Sequence, residues 1–489
     1  MAMALAAAGM PAVAPAAGGQ LQPQAQQQVR GPASAAALRQ LLSVLASHEP
    51  DLKDLVLDLC NPRYSAAHRR ELPPHPEGPL GTFAVTVPKS VPEIAKQAFE
   101  DCTALAVIAL PPNLAAIGYG AFRGCTSLSE IALPPKLTKL GGDAFLDCTS
   151  LREITLPPTL ADVGDSAFVC CSTLAVIVLP PNLTEIGEAV FRGCTALAAI
   201  TLPPALTTIG ESAFGECISL TEIALPPNLA NIGHRAFEDC TSLREIALPP
   251  NLARIGHSAF NRCASLRDIA LPPILAEIEK CAFRGCRSLG GITLPPTLTE
   301  IGESAFRDCS SLAEITLPPA LTEIGCYAFL GCSALTGIAL PPALTEIGVG
   351  TFRGCSSLAA IALPPGLAEI GLRAFQDCRS LAEITLPPTL TAIRAQAFVD
   401  CWSLVEITLP PALTVIGRYA FVDCRSLTEI TLPLQHVDIG DGAFKGCPSR
   451  HAQGRLAAAR RLGPRVVRRA HGDAGPPRRH IPPHRAPPS

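Results

Sequence analysis

Cysteine recurs every 23 residues along most of this chain. The resulting ladder of thiols could form disulfides or remain as free thiols. Sixteen of the 20 cysteines keep this spacing, from Cys102 to Cys447. If each period is one coil of a stack, successive Cα atoms lie about 4.8 Å apart, within the range that a disulfide permits. Parallel side chains would nevertheless hold the Cβ atoms too far apart for a relaxed bridge. We therefore expect free core thiols, which favour a reducing compartment.

The remaining cysteines and a histidine pair are the other candidates for reactive or metal-binding groups. His234 and His257 lie one period apart, so their imidazoles could stack, although exposed surface histidines explain them equally well. A zinc site needs further ligands, and neither a carboxylate nor a cysteine stands beside this pair. The cysteines outside the ladder are expected to be the more reactive ones: Cys60, Cys170, Cys281 and Cys326.

Enzyme motifs are missing from the sequence. It contains no H-E-x-x-H, G-x-S-x-G, Walker A or G-x-G-x-x-G pattern. A catalytic site brings unlike residues together in one pocket, whereas a repeat supplies the same residue again and again. The sequence therefore predicts a protein that is not an enzyme and that uses no cofactor.

Acidic residues recur at two outward positions of the period. The first acidic row, just before an inward Ile, contains Glu130, Glu153, Glu222, Glu245, Asp268, Glu314, Glu383, Glu406 and Glu429. The second acidic row, in five consecutive periods, contains Glu277, Glu300, Glu323, Glu346 and Glu369. Like charges about 4.8 Å apart repel by nearly 1 kcal/mol even in water, and we expect Arg284, Arg307 and Arg353 to offset part of that repulsion.

We interpret these rows as a candidate docking surface for a basic protein or segment, including a segment of this chain; a solvated face is the simpler interpretation. The candidate partner-binding face comprises the second acidic row together with Glu222, Glu245, Asp268, Glu383, Glu406 and Glu429.

The elements that position these residues follow from the same period. Sixteen of the 17 Phe, from Phe99 to Phe444, precede the cysteines by three residues, and no insertion interrupts the array. In the unit AFRDCSSLAEITLPPALTEIGCY at 305–327, an L-x-x-I-x-L stretch predicts a short strand that two prolines end. Leu321 and Ile324 point inward again, and Gly325 is expected at a corner with positive φ. The sequence predicts a β-rich solenoid with short parallel strands and one continuous file of Phe rings.

The outward residues also include an interrupted row of threonines, which β-propensity explains. Its members are Thr155, Thr201, Thr293, Thr316, Thr385, Thr408 and Thr431. Tyr119, Tyr327, Tyr419 and Trp402 are too scattered to form a stacking platform for single-stranded nucleic acid.

Units such as LAEITLPPALTEIGCYAFLGC at 312–332 resemble the leucine-rich repeat superfamily, specifically its BspA-type (Treponema pallidum-like) class. The resemblance covers residues 82–447, three quarters of the chain. It implies a β-solenoid used for protein binding and, in many bacterial members, for surface adhesion. Asn113, Lys136 and Thr159 occupy the position where common leucine-rich repeats carry Asn or Cys, so no continuous Asn ladder is expected.

Outside the array the sequence predicts three further segments. Residues 1–33 read as a disordered leader rich in Ala, Pro and Gln, and residues 34–81 as a helical cap with a Pro-rich connector. A helix pair that docks another protein is the alternative for the cap. Residues 448–489, the basic segment, carry ten Arg against one acidic residue, Asp473, a formal charge of +9, and read as disordered.

These observations lead to three hypotheses about function. The first is a cytoplasmic protein-interaction scaffold with an unidentified protein partner, expected to be basic. The second is an exported surface adhesin, which only the family resemblance implies. The third is nucleic-acid association through the basic segment. The chain has no apolar stretch of bilayer length, and its Ala-rich start lacks the basic residues of a signal peptide.

Overall fold

The computed structural model describes residues 83–87, 89–433 and 436–448. The predicted leader, the helical cap with its connector, and the basic segment beyond residue 448 lie outside the described residues, so those boundaries stay predictions. The described chain consists of short strands and turns. None of it forms a helix long and apolar enough to cross a bilayer.

Each 23-residue period is one coil with two short strands followed by a turn that carries the Ala-Phe-x-x-Cys residues. The first strand contains the Ile of the L-x-x-I-x-L stretch, and the second contains the Ile that follows the prolines. The first strands are β1 (Phe83–Thr86), β3 (Leu105–Ala109), β5 (Glu130–Ile131), β7 (Glu153–Thr155), β8 (Val176–Val178), β11 (Glu222–Ala224), β13 (Glu245–Ala247), β16 (Gly291–Thr293), β18 (Glu314–Thr316), β20 (Gly337–Ala339), β22 (Ala360–Ala362), β24 (Glu383–Ile384), β26 (Glu406–Thr408) and β28 (Glu429–Thr431).

The second strands are two residues long and lie on sheets of their own. They are β2 (Glu93–Ile94), β4 (Ala116–Ile117), β6 (Lys139–Leu140), β9 (Glu185–Ile186), β10 (Thr208–Ile209), β12 (Asn231–Ile232), β14 (Arg254–Ile255), β15 (Glu277–Ile278), β17 (Glu300–Ile301), β19 (Glu323–Ile324), β21 (Glu346–Ile347), β23 (Glu369–Ile370), β25 (Ala392–Ile393), β27 (Val415–Ile416) and β29 (Asp438–Ile439). First strands pair only with first strands, second strands only with second strands, and every pairing is parallel.

The described residues fall into two compact units, unit 1 up to Leu266 and unit 2 from Arg267 onward. Within each unit, a strand residue pairs with the residue one period later, as Glu222 does with Glu245. The register shifts only at Phe83, in the pairing of β1 with β3. Because the other pairings keep the 23-residue offset, a residue type that recurs in the sequence recurs in the same place on the surface. The predicted solenoid of parallel coils is therefore confirmed.

The Phe rings form the predicted file in each unit. In unit 1, from Phe99 to Phe260, successive ring centroids lie 5.3–5.8 Å apart. In unit 2, from Phe283 to Phe444, they lie 5.0–5.6 Å apart. Rings at this separation and nearly parallel are offset-stacked. Leu, Ile and Ala side chains at the other inward positions complete a core that is closed to solvent.

The ladder cysteines line the same core as free thiols. From Cys125 to Cys263 and from Cys309 to Cys447, the ladder thiols donate a hydrogen bond to the carbonyl oxygen of the Phe in the preceding coil, as Cys125 does to Phe99 at 3.1 Å and Cys332 does to Phe306 at 3.1 Å. Cysteine therefore fits this position on two counts: it fills a small apolar space and satisfies a buried carbonyl.

The turn orders its peptides in one direction along the stack. In the turn around Phe329, the N–H groups of Tyr327, Phe329 and Gly331 donate to carbonyls of the following coil at 2.8–2.9 Å. The same three bonds recur between neighbouring coils within each unit. Each coil of about 4.8 Å contributes three aligned peptides, so the column has one peptide dipole per about 1.6 Å of its length. An α-helix has one peptide dipole per about 1.5 Å, which is nearly the same. The N–H end of this column faces the following coil.

The expected role of Gly325 was wrong. Its φ is ordinary, and the left-handed conformations fall in the turn instead, at Tyr327 (φ 60°) and Gly331 (φ 75°). Gly325 is required for space, because an ideal Cβ there would lie 2.5 Å from the backbone nitrogen of Glu303 in the preceding coil. The alternation of positive and negative φ in the turn is what aligns its peptides along the stack.

Candidate partner-binding surfaces

The two acidic rows lie on two different sheets. The first acidic row stands on first strands and the second acidic row on second strands, which never pair with each other. Glu222 and Glu245 belong to unit 1, while Asp268, Glu383, Glu406, Glu429 and the whole second acidic row belong to unit 2. The structure therefore divides the predicted face into separate rows.

The second acidic row is continuous in backbone register over its first three members. Glu277 pairs with Glu300, and Glu300 with Glu323, as direct cross-strand neighbours on β15, β17 and β19. Glu277, Glu323 and Glu346 are exposed, and Glu300 is half-buried. Carboxylates so arranged create a negative strip on one sheet of unit 2.

The C-terminal end of this row is neutralised by an arginine of the next coil. Nε and one terminal nitrogen of Arg394 contact the two carboxylate oxygens of Glu369 at 2.7 and 2.6 Å, a bidentate pair. The hydrogen bonds that Arg394 donates to Glu369 raise the pKa of Arg394. Arg394 stands where the neighbouring coils have Gly371 and Gly417, so this one substitution supplies the counter-charge.

The arginines that were expected to offset the repulsion serve other acidic residues. Arg307 pairs with Asp308 at 3.3 Å, and Arg353 pairs with Asp377 at 4.0 Å. Both aspartates lie in the turn and not on the second strands, so this part of the expectation was wrong. The reason is position in the coil. An arginine directly after the Phe lies in the turn, so the carboxylates of the turn are the ones within its reach.

The first acidic row is interrupted, and its neighbours differ from coil to coil. Glu406 and Glu429 are cross-strand partners, as are Thr408 and Thr431 beside them. All seven threonines of the predicted row are exposed. In β20 and β22, however, Gly337 and Ala360 replace the acidic residue, which leaves a stretch of small side chains between Glu314 and Glu383.

An apolar groove of about 480 Å³ lies against the first strands of unit 1. Ile131, Leu133 and Pro157 contribute to its walls, with Glu153 and Val176 beside them. Val176 and Val178 are 53% and 51% exposed. The sequence analysis missed this surface, and its signal is the V-I-V of β8, which stands where other coils read E-I-T.

Among the aromatic side chains outside the core, Trp402 and Tyr327 are half-buried, while Tyr119 and Tyr419 are 44% and 38% exposed. Arg379 and Arg425 stack on Trp402 from the adjacent coils, at 4.4 and 4.9 Å from the ring. Tyr327 lies over Gly350 so closely that an ideal Cβ there would be 2.6 Å from its ring. That the four rings are too scattered to form a stacking platform for bases stays a prediction. In the sequence, a Tyr with a Gly 23 residues later marks a ring that lies over the next coil, as with Tyr327 and Gly350.

Most of the ladder cysteines are poorly suited to nucleophilic chemistry, whereas the hydrogen bond with Cys424 lowers the pKa of Cys447. Burial raises the pKa of Cys217 to about 12 and that of Cys355 to about 12. Among the irregular cysteines, Cys170 is half-buried, and its pKa is raised by burial and by the negative charge of Asp147. Cys281 is buried and Cys326 is half-buried, while Cys60 lies outside the described residues.

The two histidines are joined through the backbone. The N–H of His257 donates to Nδ1 of His234 at 2.9 Å, and the rings are tilted by 60° with centroids 6.1 Å apart. They are therefore not parallel-stacked. Within the part of the chain that the structure describes, no three His, Cys, Asp or Glu side chains form a group that would hold a metal ion.

Comparison with known proteins identifies the repeat. The family model described as "BspA type Leucine rich repeat region (6 copies)" matches residues 82–198, 161–290, 254–369 and 345–453. A leucine-rich repeat protein from Bacteroides ovatus is 32% identical, with a TM-score of 0.59 over 65% of this chain and 85% of that chain. No protein with a curated description matches the sequence.

Two further solved structures are similar over a comparable length. A leucine-rich cell surface protein from Faecalibacterium prausnitzii is 27% identical, with a TM-score of 0.36 over 71% of this chain and 78% of that chain. The leucine-rich repeat protein of T. pallidum is 24% identical, with a TM-score of 0.25 over 52% of this chain and 78% of that chain.

Proposed function

This chain belongs to the BspA-type leucine-rich repeat family, and from that premise we propose that it is a non-enzymatic scaffold that binds a protein partner on its exposed sheets. The observation that carries the proposal is the in-register row Glu277, Glu300 and Glu323, which repeats one charged group at the coil spacing on a closed core. Many such contacts, each weak by itself, add up when a partner lies along the row.

The partner that this row fits is a basic protein segment. A strip of carboxylates attracts Lys and Arg side chains, and the attraction speeds encounter as well as strengthening the complex. Arg394 on Glu369 supports the proposal, because it is an arginine already paired with this row in bidentate geometry. Exposed pairs of this kind are screened by salt, so binding should weaken as ionic strength rises.

The experiment is affinity capture with the full chain as bait, quantified by mass spectrometry. A variant with Glu277, Glu300, Glu323 and Glu346 replaced by Gln should lose the salt-sensitive partners. The matched control replaces Glu383, Glu406 and Glu429 on the other sheet, and it should retain them. Equal loss in both variants would contradict the assignment to the second acidic row, and no loss in either would contradict binding through the acidic rows.

For the compartment, we propose a reducing one, which favours the cytoplasm; an exported adhesin is the alternative that the family resemblance implies. Support comes from the ladder of free, buried thiols, most of which donate a hydrogen bond that a disulfide would remove. Fractionation of cells, combined with a thiol count on protein unfolded without reductant, separates the two. Protein found outside the cell with few free thiols would refute the cytoplasmic proposal.

Nucleic-acid association through the basic segment stays a secondary hypothesis. Its ten Arg would favour any polyanion. Deleting residues 448–489 should abolish binding to a labelled duplex. A full chain that fails to retain the duplex at low salt would remove the hypothesis.

A further inference from the structure

The first strands of the last three coils form a face that nothing among the described residues covers. This terminal sheet face consists of the outward side chains of β24, β26 and β28: Glu383, Glu406 and Glu429, Thr385, Thr408 and Thr431, and Val405. All of them are exposed, and Val405 is 50% exposed. Within the described chain, no ion pair involves the three carboxylates.

The path of the chain brings the basic segment to this face. From β5 onward, each first strand begins five residues after the ladder cysteine, as Glu429 follows Cys424. The same interval from Cys447 reaches Ala452, and β28 is the last strand of its sheet. The basic segment therefore starts at Pro448, next to Cys447 and one coil beyond Cys424, close to the open edge of β28.

The segment is unable to continue as a further coil. Arg450 and Gln453 stand at the positions where Leu427 and Ile430 of the preceding coil are 0% and 8% exposed. Burial of a guanidinium and an amide in that apolar core carries a large desolvation penalty. Arg450 and Gln453 therefore argue against a further coil beyond Pro448.

The end of the stack repels this segment, whereas the terminal sheet face attracts it. In the last coil, the N–H groups of Gly442, Phe444 and Gly446 occupy the donor positions of the aligned turn peptides, and no later coil is present among the described residues to accept them. That end carries the positive pole of the column. Glu406 and Glu429, by contrast, are cross-strand partners with like charge.

We propose that residues 450–461 of this chain fold back onto the terminal sheet face. Arg450, Arg455, Arg460 and Arg461 pair with Glu429, Glu406 and Glu383, and their methylene groups cover Val405. Eleven residue steps of about 3.3 Å span about 36 Å, whereas the three carboxylates extend over about 10 Å, so the length suffices for a reversal of direction. The proposal deepens the proposed function because it names an occupant of the first acidic row. It rests on the proposed function only in that an external basic partner would compete with the basic segment for this face.

The test is photo-crosslinking in the full chain, with a benzophenone amino acid at position 458 and mass-spectrometric mapping. We expect cross-links to peptides that contain β24, β26 or β28. Glu383→Gln, Glu406→Gln and Glu429→Gln together should reduce them at least about fivefold, since the pairs are exposed and electrostatic. Glu222→Gln and Glu245→Gln, in the same row of unit 1, are the control and should leave them unchanged.

Three outcomes would overturn the proposal. They are cross-links scattered over the array, cross-links indifferent to the three Gln substitutions, and cross-links that join two copies in a mixture of isotope-labelled and unlabelled protein. The assay requires no external partner. Undiminished capture by the variant with Gln in the second acidic row would count against the proposed function alone, while absent cross-links would count against this inference alone.

Discussion

Replacing Gly325 by Ala should destabilise unit 2 by about 1–3 kcal/mol, the usual cost of inserting a methyl group where no space exists. The new Cβ would lie 2.5 Å from the backbone nitrogen of Glu303 and 2.7 Å from the carbonyl carbon of Gly302. Both atoms belong to the main chain of the preceding coil and cannot rotate away. The bond from the N–H of Gly325 to the carbonyl of Ile301, now 2.7 Å, would have to lengthen.

A natural exception in the same array limits how much the substitution at Gly325 can cost in stability. Arg394 occupies the equivalent position in a later coil, and β23, β25 and β27 on either side of it remain paired. A side chain is therefore compatible with the fold where the backbone has adjusted. The substitution at Gly325 should cost the free energy of such an adjustment without preventing folding.

The matched control is Gly366→Ala. Nothing lies within 4 Å of an ideal Cβ at Gly366, and other coils carry Ala320, Ala343 and Ala412 at this position. Its stability should be unchanged or raised by up to about 1 kcal/mol, because Ala restricts the unfolded chain. Urea unfolding followed by the fluorescence of Trp402, the chain's only Trp, reports on unit 2. Equal midpoints for the two variants would refute the argument from coil spacing.

Three further predictions concern the core and its surface. Phe329→Ala should cost about 3–5 kcal/mol in unfolding free energy, and Phe444→Ala, at the 8%-exposed end of the file, clearly less; equal costs would contradict the closed stack. The raised pKa of Cys217, about 12, means that its thiol stabilises the fold fully below the unfolded value near 9, and that this contribution is lost as pH rises from about 9 to 12. Unfolding measured over this pH window tests the loss of stability. At pH 8 the ladder thiols of the folded protein should resist alkylation, and their rapid alkylation would count against the prediction. Arg394→Gln should cost less than about 1 kcal/mol, because its pair with Glu369 is half exposed; thermal unfolding measures the loss, and a cost of several kcal/mol would assign the arginine a role in the core.

The period of the sequence was sufficient to predict the fold. Phe, Cys, Leu and Ile recur at fixed positions, and a buried file of identical residues has one consistent arrangement, with coils stacked in register. The backbone conformation of the turn was harder to predict from the sequence. Gly325 carries the residue type of a positive-φ corner, yet its requirement is the distance to the preceding coil, and the left-handed positions are filled by Tyr327 and others that composition does not single out.

The candidate surfaces were predictable only in part. Outward charge follows from the period, so Glu277, Glu300 and Glu323 were found from the sequence alone. Their separation from Glu406 and Glu429 was not, because the one-dimensional pattern does not show that the two strands of a coil join different sheets. The apolar groove beside Val176 depends on how three successive coils fit together, which no single period contains.

The most direct measurement of the central claim is photo-crosslinking in cells from positions next to the second acidic row. A benzophenone amino acid at Thr322, which is exposed beside Glu323, should give a discrete adduct with a protein partner. The adduct should disappear when Glu277, Glu300 and Glu346 are replaced by Gln. The same probe at Arg287, exposed in a turn of unit 2, should give none. An adduct from the turn but not from Thr322, or one that survives the loss of the carboxylates, would contradict a binding surface on this sheet.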